Sequence, residues 1–424
     1  MSGVLQNVTR VLEEYAGKKI AVGVSGGRDS MCLLHAVLSC RIFDRSDISV
    51  LHVNHGLRAE ADGDENFVRG YCEKNGVAFR AYRVDVKREC REKSLSVEQA
   101  ARDLRYGAFR SATESGIADV VLVAHHALDN AESVLMHMFR GSGPDGLCGM
   151  RVASGFTVRP LLDTYPEEIE KYVADNGIEY VVDGTNFIDD ADRNYIRLNV
   201  LPLVMKRYGG AVRAINALAS DMALSCAALD GMLDSSNIVY GGGCVSVKDA
   251  ALESPLATRY MRRALAFFSL TDVTRDMLSR AAELVRMRTG ATVPMNNGVV
   301  AAREYGCVTL FIPRAECDTE KGLALGRNYI DGLAVCLTEE NVDPKSVRGG
   351  AVDIDKLDGA TLRFRRDGDY FTPCGGKRKK LKQFFIDGKI CKRLRDRTPL
   401  VCRGSEVLVI VGVQISDEVK IDEN

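Results

Sequence analysis

The stretch "KKIAVGVSGGRDSMCLLHAVLS", Lys18 to Ser39, sets an apolar run directly against two glycines, two serines and an aspartate. The run "IAVGV" reads as a short buried strand, and the residues from Asp29 to Leu38 read as a helix. A strand that ends in Ser-Gly-Gly and turns into a helix directs backbone N–H groups outward at the helix start. Glycine lets the backbone reach positive φ and approach a ligand closely. The helix N-terminus adds about half a positive charge and unpaired donors, a combination that favours phosphate. Ser25 and Ser30 add hydroxyls. Asp29 is poorly suited to phosphate but well placed to hold Mg²⁺. A capped helix after a tight turn, with Asp29 as an ordinary helix-start residue, is the competing reading.

Outward from this corner, β-like and helix-like segments alternate. "ISVLHV" (Ile48 to Val53) precedes a helical stretch over 64–74, and "AFRAYRV" precedes one over about 97–113. "VVLVA" (Val120 to Ala124) precedes another over 129–139. Short apolar runs separated by helices indicate a doubly wound, mostly parallel α/β sheet. A glycine-rich loop follows at 141–150, and the α/β pattern continues weakly to about 207. Residues 209–236 read as a long amphipathic helix. Helices are expected near 255–269 and 274–287, β-hairpins over 290–312 and a linker over 338–350. Three domains are expected: 1–208, an α/β nucleotide domain; 209–345, a helical and mixed middle domain; and 346–424, a small basic α+β domain.

The 424 residues, 46% hydrophobic and 27% charged, suit a globular protein of this size. No apolar run approaching the ~20 residues of a bilayer span stands out. The N-terminus reads as an amphipathic helix, so a cytoplasmic protein without membrane contact is expected. The 13 cysteines are scattered, with no Cys-x-x-Cys pair, and are expected to be reduced thiols. Net charge is −1, yet residues 361–400 hold thirteen Lys and Arg against four Asp. That asymmetry points to a polyanion as partner.

Several stretches cluster chemistry at strand ends, where doubly wound folds bind ligands. "LHVNHGLR" carries His52, Asn54 and His55. "AHHALDNAES" carries His125 and His126, then Asp129 and Glu132 at i, i+3 on one helix face. "ARDLRY" puts Arg102 and Arg105 three apart, and "DRNYIR" offers Arg193 and Arg197 at i, i+4. The basic region holds Lys377, Arg378, Lys379, Lys380 and Lys382 before "FF", with Lys389 and Arg393 after it. Packed histidines, a solvated helix start and surface ion pairs would produce the same residues singly.

"SGGRDS" is neither the G-x-x-x-x-G-K-[ST] loop nor G-x-G-x-x-G. It resembles the SGGxDS loop of the N-type ATP pyrophosphatase (PP-loop) superfamily, which cleaves ATP between its α- and β-phosphates. With "HVNHGLR", "HH…D…E", "RPLL" at Arg159 and the basic tail, the chain resembles the tRNA(Ile)-lysidine synthase family over most of 15–210 and 358–415. The resemblance implies ATP and Mg²⁺ as cofactors, with L-lysine and isoleucine tRNA bearing a CAU anticodon as substrates. It implies a wobble cytidine adenylated and then attacked by lysine. Arg28 joins Ser25, Gly26, Gly27, Asp29 and Ser30 in the implied nucleotide loop, with His52, Asn54, His55 and His125 beside it. Asp29, Asp129, Glu132, Arg102, Arg193 and Arg197 take the implied catalytic places, and the basic tail grips tRNA. A homodimer is compatible with such folds. The family reads HHxDDQxET where this chain has Leu128, Asn130 and Ser133, so one carboxylate is missing. A tRNA thiolase, which needs a cysteine pair, and an ATP- and tRNA-binding module without catalysis are the rivals.

Overall fold

The computed structural model describes residues 3–57, 61–181, 191–270, 273–313, 318–339 and 351–421. The expected linker at 338–350 falls almost wholly outside them. The chain divides into two compact units, 1–228 and 229–424.

The first unit contains α1 (Gly3–Leu12), β1 (Ile20–Gly23), α2 (Arg28–Ser39), β2 (Ile48–Asn54), α3 (Ala61–Asn75) and β3 (Ala78–Arg83). It continues with α4 (Val86–Lys93), α5 (Val97–Glu114), β4 (Val120–Leu122), α6 (Ala127–Phe139), α7 (Pro144–Leu147), β5 (Ala153–Ser154) and β6 (Thr157–Val158). Helices α8 (Pro166–Asp175), α9 (Ala191–Tyr195), α10 (Leu201–Arg207) and α11 (Ala211–Gly231) close it, with a π-helical turn at Ile196–Val200 between α9 and α10. The sheet order is β3-β2-β1-β4-β6-β5. All pairs are parallel except β5 with β6. Ile20 aligns with Ile48 on one side and Val120 on the other, so β1 lies between two other strands and is apolar on both faces.

Helices cover both faces. Met31, Leu34 and Val37 of α2 pack with Val8, Val50 and Val68 in one core. Phe109 and Ala112 of α5 pack with Ala21, Leu51 and Val121 in the other. Each large apolar side chain so buried contributes about 1.5–3 kcal/mol. Short strands and a two-residue β5–β6 pairing escaped the sequence pattern, as did α4, whose composition is polar. Helix α11, expected to be amphipathic, is by length and composition apolar enough to cross a membrane, contrary to the expectation that no such run exists. Its N-terminal half is engaged within the unit. Arg213 stacks 4.1 Å from the Tyr165 ring, and Asn216 bonds Asn130 and the Ala127 carbonyl.

The second unit holds β7 (Ile238–Gly241), β8 (Cys244–Lys248), α12 (Asp249–Leu252), α13 (Ala257–Leu265), α14 (Arg275–Glu283), β9 (Thr292–Pro294), β10 (Val300–Glu304) and β11 (Cys307–Phe311). These form a five-stranded antiparallel sheet, β7-β8-β11-β10-β9, packed on its helices. Then come β12 (Glu320–Gly322), the hairpin β13 (Gly326–Ile330) and β14 (Leu333–Leu337), β15 (Thr361–Arg363), β16 (Tyr370–Phe371) and β17 (Lys379–Lys380). Helices α15 (Leu381–Asp387) and α16 (Lys392–Arg395) and strands β18 (Leu400–Arg403), β19 (Glu406–Ile410) and β20 (Gln414–Ile415) complete the chain. Strands β12-β15-β18-β19-β16-β17, with β20 beside β19, form a further sheet, in which Arg363 of β15, 2% exposed, pairs at both terminal nitrogens with Asp369 and bonds the carbonyls of Phe364 and Gly404.

Candidate active site

The carboxyl ends of β1, β2 and β4 open into a cavity of about 880 Å³. The loop after β1 forms its floor. Gly26 sits at φ +96°, a region that disfavours any side chain, and its carbonyl accepts from Val181 N–H at 2.9 Å. The Ser30 hydroxyl donates to the Gly27 carbonyl (2.9 Å) and accepts from Ser25 N–H (3.2 Å). The Ser25 hydroxyl accepts from Gly27 N–H at 3.3 Å. These bonds hold the loop open around the start of α2 before any ligand enters. Ser25, Gly27, Arg28, Asp29 and Ser30 line the cavity. Gly26 supplies the bend from behind.

His52, Asn54 and His55 also line it, as expected of the end of β2. His52 and Asn54, however, are tied into the scaffold. His52 Nδ1 sits 2.9 Å from the Val24 carbonyl, and burial lowers its pKa. The Asn54 amide donates to Asp62 and Glu65, and its carbonyl accepts from Gly56 N–H. They fix the wall of the cavity and hold it polar.

Helix α6 brings the carboxylates. His126 caps it: its Nδ1 accepts from Leu128 N–H, and Asp129 Oδ2 accepts from His126 N–H at 2.9 Å. The other ring nitrogen, Nε2, lies 3.6 Å from Asp29 Oδ2. His126 therefore joins Asp29, on the phosphate loop, to Asp129, at the start of α6. Burial opposes charge on this imidazole, but the close approach of Asp29 and the charges of Asp129 and Asp29 outweigh it and raise its pKa. Burial likewise works against both carboxylates. His126 and Arg28 overcome it at Asp29, and His126 and Arg193 overcome it at Asp129, so both pKa values are lowered.

Arg193 and Arg197, one turn apart, converge on this pair of acids. Asp129 Oδ1 accepts from both, at 3.1 and 3.0 Å. Glu132 accepts from Arg193 Nε at 2.8 Å and from Arg197 Nε at 2.6 Å. Asp129 and both arginines line the cavity. Glu132 does not: it is fully buried behind them. The expectation that it takes a catalytic place is corrected, because its carboxylate is fully buried and lines no part of the cavity, whereas Asp129, bound by the same two arginines, does. Leu128 is also outside the cavity, packed with Ala131, Ile196, Leu201 and Val212.

Arg102 and Arg105 of α5 line the opposite wall with Tyr106 and Phe109. His125, at the end of β4, is driven down to about 3 by burial, with Arg159, Arg193 and Arg102 adding to the effect against Asp129. Asn130, marked in the sequence only as a departure from the family pattern, is a hub. It bonds Met150 N–H at 2.6 Å and Asn216 at 3.1 Å. Tyr106 and Asn194 also line the cavity, where the sequence pattern marks only the charged residues beside them.

In the second unit Lys377, Arg378, Lys380, Lys382 and Lys389 are exposed. Arg378 stacks on the Tyr370 ring at 3.3 Å, and Lys379 pairs with Asp387 at 2.9 Å. Arg393 is drawn against the antiparallel sheet, to Glu304 at 3.3 Å and over the Phe311 ring. It is therefore a strut within the unit as much as a surface cation.

A phosphate-binding corner after β1, a carboxylate beside it and a basic second unit define an ATP-cleaving enzyme of the PP-loop class that acts on a polyanion. Residues 2–204 match the PP-loop domain family, and residues 360–424 match the TilS substrate C-terminal domain. The tRNA(Ile)-lysidine synthase of Clostridium acetobutylicum is 33% identical over 96% of this chain and 93% of its own length. Those of Clostridium tetani and Parabacteroides distasonis are each 32% identical, over 96% and 98% of the chain and 92% and 95% of their own lengths. The chain belongs to the tRNA(Ile)-lysidine synthase family, ATP-dependent ligases that form lysidine on tRNA(Ile).

Proposed function

We propose that the chain joins the ε-amine of free L-lysine to the wobble cytidine of a CAU-anticodon isoleucine tRNA, with the residues of the 880 Å³ cavity in distinct roles. The cytidine O2 attacks the α-phosphorus of ATP. The bond to the bridging oxygen breaks, and pyrophosphate leaves. The lysine nitrogen then attacks the ring carbon that carries the adenylated oxygen, and AMP departs with that oxygen.

The loop 25–30 receives the triphosphate: its backbone donors lie at the start of α2, where charge building on the phosphates is best met. Asp29 fits a Mg²⁺ that rides on the nucleotide, since such an ion takes one or two carboxylates and fills its shell with phosphate and water. Among the described residues no group of three or more acidic, Cys or His side chains offers a self-sufficient metal cage. When bound there, the ion supplies charge neutralisation between the phosphates. Arg102, Arg193 and Arg197 line the remaining walls and complement phosphate oxygens. Asp129 anchors the lysine ammonium. Its lowered pKa suits an anchor better than a strong base, so the proton lost before attack passes to water. Glu132 holds Arg193 and Arg197 in place. The basic cluster around Lys377–Lys389 tracks the tRNA backbone.

The carrying observation is the His126 bridge that joins Asp29 of the phosphate loop to Asp129 across 3.6 Å and 2.9 Å contacts. On this reading the leaving-group end and the amine end of one reaction share one cavity. The family's missing carboxylate does not weaken it, because Leu128 lies in an apolar cluster outside the cavity. Incubating the protein with ATP, labelled lysine and a CAU-anticodon tRNA(Ile) transcript tests the reading. Label in the tRNA with stoichiometric AMP and pyrophosphate supports it. Bound tRNA without incorporated lysine contradicts it.

A further inference from the structure

Among the buried polar atoms of cavity residues that lack a hydrogen-bond partner among the described residues are the hydroxyl of Tyr106 and Nδ1 of His125. Buried polar atoms are nearly always paired, so an unpaired one in a substrate cavity marks where a ligand atom belongs. The two come from different elements, α5 and the end of β4.

Tyr106 is held firmly. The Arg102 guanidinium lies 4.9 Å from its ring centre, and Phe109 meets it edge-on at 5.9 Å and 64°. Phe109 is itself wedged under β1, where a methyl group added at Gly23 would come within 2.7 Å of its ring. These contacts favour the observed orientation of the ring and its hydroxyl. His125 is buried among Arg159, Arg193 and Arg102 and stays neutral. An uncharged hydroxyl and an uncharged imidazole form a poor phosphate site beside so many guanidiniums, which would outcompete them for anions. They suit the hydrogen-bonding edge of a planar, uncharged ligand, which is a nucleobase.

Two nucleobases enter this cavity, the adenine of ATP and the base that is modified. His125 and Asp129 line the same cavity, four residues apart where the end of β4 passes into α6. The amine anchored at Asp129 must reach the ring carbon of the modified base, which places that base beside His125. Helix α5 packs on the face of the sheet opposite α2, away from the side on which the phosphate loop continues.

We infer that the Tyr106 hydroxyl, with His125 Nδ1, receives the polar edge of the pyrimidine being activated, which makes Tyr106 a recognition residue for the acceptor base. The inference rests on the reading of Asp129 as the amine anchor.

Tyr106→Phe removes only the hydroxyl, which bonds to none of the described residues, so folding is unaffected. The test measures transfer of AMP from α-labelled ATP to the tRNA transcript without lysine, alongside affinities for a non-hydrolysable ATP analogue and for tRNA. The expected result is a roughly 10- to 100-fold slower adenylation, the range for leaving a buried polar partner unpaired, with both affinities unchanged. A parallel loss of nucleotide affinity would overturn the inference, because adenine would then be the ligand. Unchanged adenylation would overturn it as well. Asp129→Asn separates the two readings: it should accumulate adenylated tRNA and stall at lysine attack. If it does not stall, the anchor reading fails, and the Tyr106→Phe adenylation rate still decides the base contact.

Discussion

His125 shows how burial sets a residue's chemistry. Its pKa falls from the ordinary 6.5 to about 3. Between those values the unfolded chain takes up a proton that the folded chain refuses, so acid draws the equilibrium toward unfolding. The thermal midpoint should fall as pH drops from about 6.5 toward 4, and His125→Gln should flatten that fall. An unchanged slope in the variant would place the proton uptake elsewhere. The motif "HH" revealed two histidines but not their opposite fates. His126 meets two carboxylates that outweigh its burial and push it up, whereas His125 is pushed down by burial, with three arginines adding to it. Spacing along a chain does not encode which face of a strand end meets which charges. Ser25, Gly27 and Ser30 were legible for the opposite reason: a glycine-rich turn between strand and helix has one geometry, and it is local.

At the scale of elements, α6 and the α9–α10 segment act as one device. Glu132 is locked between Arg193 and Arg197, and both arginines also hold Asp129. Removing one partner of such a buried network leaves guanidinium charge uncompensated, which costs about 3–5 kcal/mol. Glu132→Gln should therefore lower stability by roughly 3 kcal/mol, as the guanidiniums stay partly solvated, and should weaken lysine use more than ATP binding. Denaturant titration and the KM for each substrate check both parts. Intact stability would show that Arg193 and Arg197 position themselves without it. The i, i+3 spacing correctly put Asp129 and Glu132 on one side of a helix. It was silent on depth, because the segment that buries Glu132 comes from far downstream in the chain. Helix α4 and the strands β7 and β8 escaped the pattern because they are short or polar and are stabilised by tertiary packing.

For the whole molecule, charge is divided between the units: the nucleotide chemistry lies in the first and the dense cationic run in the second. Lys377, Lys380, Lys382 and Lys389 are exposed, so replacing them with alanine should leave folding and ATP binding intact. tRNA affinity should fall, and the dependence of log K on log salt should flatten by up to about one unit for each phosphate no longer neutralised. An unchanged salt slope would show that the run is solvated surface. Arg393→Ala should behave differently and cost stability, because its guanidinium meets Glu304 and the Phe311 ring. The alternation of strands and helices and the local charge surplus were legible from composition and period alone. The five-stranded antiparallel sheet was only half visible, as its first hairpin lies well before its other strands in the chain.

The most direct test is a crystal structure of the protein with a non-hydrolysable ATP analogue and Mg²⁺. The triphosphate should lie in the loop of residues 25–30 at the start of α2, with the loop's own hydrogen bonds intact and the metal beside Asp29. A triphosphate bound elsewhere, or a loop that must unfold its Ser25–Ser30 hydrogen bonds to admit it, would contradict the account.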